Sequence, residues 1–274
     1  MKIYSIPKLS CLLVFSLVCW SATAQNTFVV PAAMQALGNS GVSFDRADGY
    51  VLNPAAAAHS SLTAGATYSN RYLLKDLSAG SVFAILPIAG SRLLGSYGQY
   101  GNDSYQENLV QLGLSKTLGE KLSAGLLFHY LSFRMAESDS RPAMFTFSAG
   151  VQYQLNNGGL GASVFNLYSF SGSSGDYQAD YPCCVRLGGH QLWQNKLLFA
   201  AQLSYHEEYG LCSHWGLGYN LLKQLVLRAG LQTGQPEWSF GLGFLFGRIN
   251  ADLSFSHHQY LGFSPSFTFY FQRP

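Results

Sequence analysis

From Ser61 to the C-terminus, apolar and polar residues alternate with a period of two. Phe145, Phe147, Ala149, Val151 and Tyr153 share one parity; Thr146, Ser148, Gly150, Gln152 and Gln154 share the other. The stretches Leu197 to Tyr205, Trp238 to Phe246, Ile249 to Phe255 and Phe263 to Phe271 repeat the pattern. Successive side chains of a strand point to opposite faces, so each segment has one apolar face and one face of small polar residues and glycine. The pattern predicts an all-β chain of fourteen strands over 61–69, 77–86, 91–100, 106–117, 121–133, 142–155, 158–169, 180–190, 195–205, 210–221, 224–233, 236–247, 248–257 and 260–272. Alternation is blurred in the second and third, which leaves twelve strands as the alternative.

The connections also alternate. Those after even-numbered strands are tight, as at Pro87-Ile88-Ala89-Gly90, Leu118-Gly119-Glu120, Asn156-Asn157 and Leu222-Lys223. Those after odd strands, such as 134–141, 170–179 and 206–209, are mostly longer and more polar. Outer-membrane barrels have short periplasmic turns and longer outer loops, and an even strand count puts both termini in the periplasm. A soluble β-sandwich would also alternate, but its water-facing sides would carry Lys, Glu and Asp. Here the polar faces are mainly Gly, Ser, Thr and Gln, and the apolar faces end in Tyr, Phe and Trp, as at an aromatic girdle. Closure removes the free edges that hydrocarbon cannot satisfy. The expectation is a transmembrane, antiparallel, up-and-down β-barrel over 61–274, in a bacterial outer membrane and surrounded by its lipids.

Composition fits this picture. Only 11% of the 274 residues are charged, against about a quarter in soluble proteins. No run of Lys and Arg marks a nucleic-acid surface. Lys2 and Lys8, the apolar stretch Cys11 to Trp20 and the small residues Ala22-Thr23-Ala24 read as a signal peptide over 1–24, with the mature chain starting at Gln25. Val18 before Cys19 argues against a lipoprotein. Removal of two lysines takes the basic count from 16 to 14, equal to the 14 acidic residues. Cys183, Cys184 and Cys212 remain. Parity turns Cys184 and Cys212 inward on strands separated by one neighbour, roughly 9–10 Å apart, beyond ordinary disulfide reach, so free thiols are expected.

Residues 25–60 do not alternate. They are rich in small apolar residues, and Asn53 with Pro54 reads as the cap and first residue of a short helical turn. Small residues suit close packing, so this segment is expected to plug the barrel. Inward glycines, among them Gly125, Gly150, Gly188, Gly216, Gly218, Gly241 and Gly243, would leave room for its backbone or relieve strain where strands curve.

The Ala36-Leu37-Gly38-x-x-Gly41-Val42 segment, the acidic stretch holding Asp45, Arg46 and Asp48, and Asn53-Pro54-Ala55 before a strand meander together resemble the N-terminal hatch of FadL-like outer-membrane proteins. The PorV/PorQ branch of Bacteroidetes looks closest. His258-Gln259-Tyr260-Leu261-Gly262, followed by the aromatic strand Ser266 to Phe271, is similar to the last hairpin of that branch. The resemblance implies a fourteen-stranded barrel with a hatch. Its function would be either passage of a hydrophobic ligand or an accessory role in type IX secretion with protein partners of that system. The chain departs from fatty-acid transporters in its compact outer loops.

Parity places Arg186, His190, His214, Arg228 and Asp252 in the lumen, since a charge facing lipid at mid-depth costs roughly 2–4 kcal/mol. They either line a solute path or pair with Asp45, Arg46 and Asp48 of the plug; on the second reading, Arg228→Ala loosens the plug. Aromatic residues near strand ends, among them Tyr100, Tyr130, Phe133, Tyr168, Phe170 and Tyr260, suit either function. The histidines at 206, 257 and 258 form no triad with a serine and an acid, so no catalytic site is expected. Cys212 and His214 share a face but form no close ligand motif, so no metal or other cofactor is expected either.

Overall fold

The computed structural model describes residues 29–136, 141–168, 170–171, 182–208, 210–234 and 236–273. The signal peptide expected over 1–24, and the first four residues of the segment expected to plug the barrel, lie outside the described residues.

The strands are β1 (Thr63–Asn70), β2 (Ser78–Ile88), β3 (Ser91–Gly101), β4 (Tyr105–Thr117), β5 (Leu122–Met135), β6 (Ala143–Leu155), β7 (Gly158–Phe165), β8 (Phe170–Ser171), β9 (Cys184–Trp193), β10 (Leu197–His206), β11 (Gly210–Asn220), β12 (Leu225–Gln232), β13 (Glu237–Phe246), β14 (Ile249–His258) and β15 (Gly262–Gln272). Fourteen long strands pair antiparallel with their neighbours, and β1 pairs with β15 from Thr63↔Gln272 to Ser69↔Ser266, which closes the barrel. The two-residue β8 extends the edge of β6. The twelve-strand alternative is set aside, since the blurred β2 and β3 share ten register pairs.

The strand expected over 180–190 is shifted to Cys184–Trp193, and two further boundary differences have a local cause. Pro87 and Ile88 belong to β2, so the turn shrinks to Ala89-Gly90, both at positive φ; a two-residue hairpin that follows the strand twist needs that conformation. The segment expected as one strand over 158–169 stops at Phe165. Asn166 there takes φ 53°, and pairing to β6 resumes at Phe170 two residues out of step. The surplus residues form a bulge whose Leu167 and Tyr168 stand out from the wall.

The connections at the end of the barrel that holds Thr63 and Gln272 are all two to four residues long; the other end carries the long ones, 71–77, 136–142 and 166–183, together with some of only three. Alternation is preserved in the burial pattern, with Leu, Val, Phe and Tyr exposed on the outer wall and Ser, Thr and Gln buried within. No helix among the described residues is long and apolar enough to cross a membrane. The barrel interior is not empty, and residues 29–60 occupy it.

Candidate functional site: the inner wall and the segment it encloses

Residues 32–43 make one hydrogen bond after another around the inside of the barrel. The amide of Ala32, which starts the five-residue helix α1 (Ala32–Ala36), donates to Thr268 Oγ1 of β15 at 2.8 Å. Gln35 exchanges hydrogen bonds with Ser254 and Ser256 of β14. The Gly38 amide donates to Ser239 Oγ of β13, and Asn39 Nδ2 donates to Gln232 Oε1 of β12. His214 of β11 meets the Gly38 carbonyl at 2.8 Å through Nδ1. The Val42 amide donates to Gln202 Oε1 of β10, and Ser43 Oγ lies 2.9 Å from His190 Nδ1 of β9. Because a carbonyl can only accept, His214 carries its proton on Nδ1, leaving Nε2 to accept from Ser204 Oγ at 2.7 Å.

The second half of the segment continues the circuit. Asn53 caps a 3₁₀ turn over Pro54–Ala57, its Oδ1 accepting from the Ala55 amide at 3.0 Å. Its Nδ2 donates to the carbonyls of Val42 and of Val151 in β6. Gln152 Nε2 reaches the Val42 and Phe44 carbonyls. Ser163 of β7 donates to the Leu52 carbonyl, and Arg92 of β3 to the Ser60 carbonyl. Buried backbone groups away from water need such partners, and the wall supplies them strand by strand.

Glycine makes this proximity possible. A Cβ on Gly125 would lie 2.6 Å from the Ala55 amide nitrogen, one on Gly241 2.6 Å from Ala36 Cβ, and one on Gly216 2.5 Å from Ser40 Oγ. Gly150 faces Asn53 in the same way. Gly218, by contrast, packs against Leu198 of the neighbouring strand, and Gly243 makes room for Arg228 and Asp252. Gly161 and Gly230, which sequence reasoning passed over, are equally constrained by Val42 and by the Leu37–Gly38 peptide.

The charged residues form one network. Arg46 donates to Asp48 through Nε and Nη2, both at 3.0 Å, and to Asp252 Oδ2 at 2.7 Å. Arg228 Nη1 donates to Asp252 Oδ1 at 2.5 Å. Asp48, Asp252 and Arg228 are buried, and Arg46 also stands over the Tyr270 ring, 5.7 Å from its centroid. Burial works against the charge on Arg46; Asp48 and Asp252 outweigh it and hold the guanidinium pKa above its ordinary value. Asp45 stays outside the network, with His59 and Gln154 as its partners, because it sits at the exposed mouth. Arg186 points inward but, among the described residues, forms no ion pair. The three cysteines are free thiols. Cys184 and Cys212 are buried, and Cys184 Sγ lies 3.5 Å from His206 Nε2.

Of the end aromatics, Phe133 is turned inward rather than out. It joins Leu109, Leu131, Met144, Phe165 and Cys184 in an apolar cluster on the inner wall near the long-loop end. No residue of the enclosed segment belongs to it. A second cluster joins Tyr50, Ala47 and Ala57 of the segment to Phe83, Ile85, Leu94, Leu127 and Tyr270.

No protein-family profile matches the chain, and no curated protein is a significant relative. Solved structures are similar in fold. A Pseudomonas putida toluene transporter, TodX, superposes with a TM-score of 0.66 at 12% identity, covering 89% of this chain and 98% of that one. A Ralstonia pickettii toluene transporter, TbuX, gives 0.63 at 10% identity, over 89% and 98%. A Pseudomonas aeruginosa FadL homologue gives 0.57 at 13% identity, over 92% and 99%. At such identities the likeness is one of fold.

Proposed function

We propose that this chain is an outer-membrane channel for hydrophobic small molecules, with residues 25–60 as its plug and with signal-peptide removal before Gln25. Both termini and the short turns face the periplasm. The toluene transporters and the FadL homologue that share the fold support this reading. The observation that carries it is the apolar cluster of Leu109, Leu131, Phe133, Met144 and Phe165. Unlike the second inner cluster, which packs on Ala47, Tyr50 and Ala57, these six inward apolar side chains (Cys184 included) near the long-loop end include none from residues 29–60, and an apolar stretch of inner wall suits an apolar solute.

Purification in mild detergent, followed by mass spectrometry of what stays bound, tests the reading. A recurrent apolar small molecule is expected, and Phe133→Asp is expected to abolish its retention. Secretion proteins retained in stoichiometric amount without such a molecule would replace this reading with the accessory role that the PorV/PorQ resemblance implies.

Bilayer residence has its own test. Leu187, exposed near the middle of β9, faces hydrocarbon on this reading. Leu187→Arg is expected to cost about 2–4 kcal/mol of folding stability in lipid vesicles. An unchanged denaturation midpoint would place that surface in water.

A further inference from the structure

The short-turn end of the barrel carries a collar of cations. Lys116, Lys121, Lys196, Lys223, Arg248 and Arg273 are all exposed there, and none forms an ion pair among the described residues. The exposed carboxylates at that end are Glu120 and Asp45, and Asp45 is engaged by His59. The opposite end is mixed, with Asp76, Asp103, Glu207 and Glu208 exposed alongside Lys75, Arg134 and Arg141. The collar spans the β4–β5, β9–β10, β11–β12 and β13–β14 turns and the end of β15, most of the circumference.

Four of the six cations are flanked along the chain by exposed apolar side chains. Lys121 lies between Leu118 and Leu122, Lys196 between Trp193 and Leu197, Lys223 beside Leu221 and Leu222, and Arg248 between Phe246 and Ile249. Turns that project into water would not keep this apolar company. Long basic side chains can rest their stems on apolar surface while the charge reaches the polar boundary.

We infer that this collar binds the phosphates of anionic phospholipids in the leaflet that the short-turn end meets. Lipid encircles a barrel, and the collar spans most of its circumference; a protein partner would face one sector. Charge and depth both match, since basic residues just outside an apolar band attract anionic headgroups over about a Debye length. The inference rests on the membrane-barrel reading above.

The test is heat stability of the full-length barrel in vesicles of phosphatidylcholine alone and of phosphatidylcholine mixed with phosphatidylglycerol. The mixed vesicles are expected to raise the midpoint. High salt should abolish that gain, and so should the combined variant K116Q/K121Q/K196Q/K223Q/R248Q/R273Q. The variant K75Q/R134Q/R141Q, altered at the other end, should keep it. If the six-fold variant does not insert, native mass spectrometry in detergent takes its place, with retention of added phosphatidylglycerol expected to fall by more than about tenfold. Equal stability in both vesicle types, a gain that survives the six-fold variant, or a gain reproduced by inorganic phosphate alone overturns the inference while leaving the barrel reading intact. Failure of the unaltered chain to enter either vesicle overturns both.

Discussion

Replacing Asp252 with alanine is expected to cost about 3–5 kcal/mol, the order reported for breaking a buried ion pair by deleting one partner. Asp252 is the one carboxylate shared by Arg46 and Arg228. Without it Arg228, whose side chain is 5% exposed, keeps its charge with no acceptor of opposite sign beside it, and the four-residue network changes from balanced to net positive. Arg228→Ala is milder, because Asp252 then still has Arg46. The double variant Asp252→Ala with Arg228→Met removes the stranded cation and is expected to recover part of the loss. Denaturant titration, read by the mobility difference between folded and unfolded barrel on gels, checks this order. A loss below about 1 kcal/mol for Asp252→Ala would mean that water, not protein, solvates the network.

Gly230→Val is expected to expel the enclosed segment while leaving the wall closed. The new Cβ would stand 2.7 Å from Gly38 Cα, and backbone held on both sides by hydrogen bonds cannot yield as a side-chain tip can. Valine is a good strand residue, so the strain falls on the segment. The stability loss is expected near the 1–3 kcal/mol typical of overpacking. Two readouts report it. Protease should cut within 29–60 while the barrel core stays resistant, and ion conductance across planar bilayers should go from closed to open. Gly80→Ala, in β2 where an added Cβ meets only the Thr67 carbonyl oxygen at 3.9 Å, is the control for conductance. A closed, protease-resistant Gly230→Val protein would show that the segment can shift without leaving.

The architecture was legible because closure imposes one rule on most strands: outer face apolar, inner face small and polar. That rule placed Arg186, His190, His214, Arg228 and Asp252 inward, and the structure has all five there. It failed where both faces are apolar. In β5, Leu127, Leu131 and Phe133 face the lumen while Leu126, Phe128 and Tyr130 face out, so alternation by hydropathy vanishes and the inner apolar patch was invisible. The course of residues 29–60 was also illegible, because it is written in carbonyls, amides and hydroxyls that any sequence carries. The inward positions of Gly161 and Gly230 were within reach of parity, since both share a face with glycines already singled out. The cationic collar could not be seen along the chain, where most of its members lie far apart. It emerges only when alternate turns are gathered at one end.

The order of contacts inside the barrel has a consequence for how the molecule is made. Residues 32 to 43 meet β15, β14, β13, β12, β11, β10 and β9 in turn, so a segment that precedes the barrel in the chain grips the last strand and then works backwards. The grip on Thr268 lies at the seam itself, beside the Thr67 hydroxyl of β1 at 3.0 Å. Sequential hairpins could be laid down without residues 29–60, but the pairing of β1 with β15 closes the wall around what is inside. A barrel that shut before residues 29–60 were seated would leave them outside a finished wall, so seating of the segment and closure of the seam are expected to be coupled.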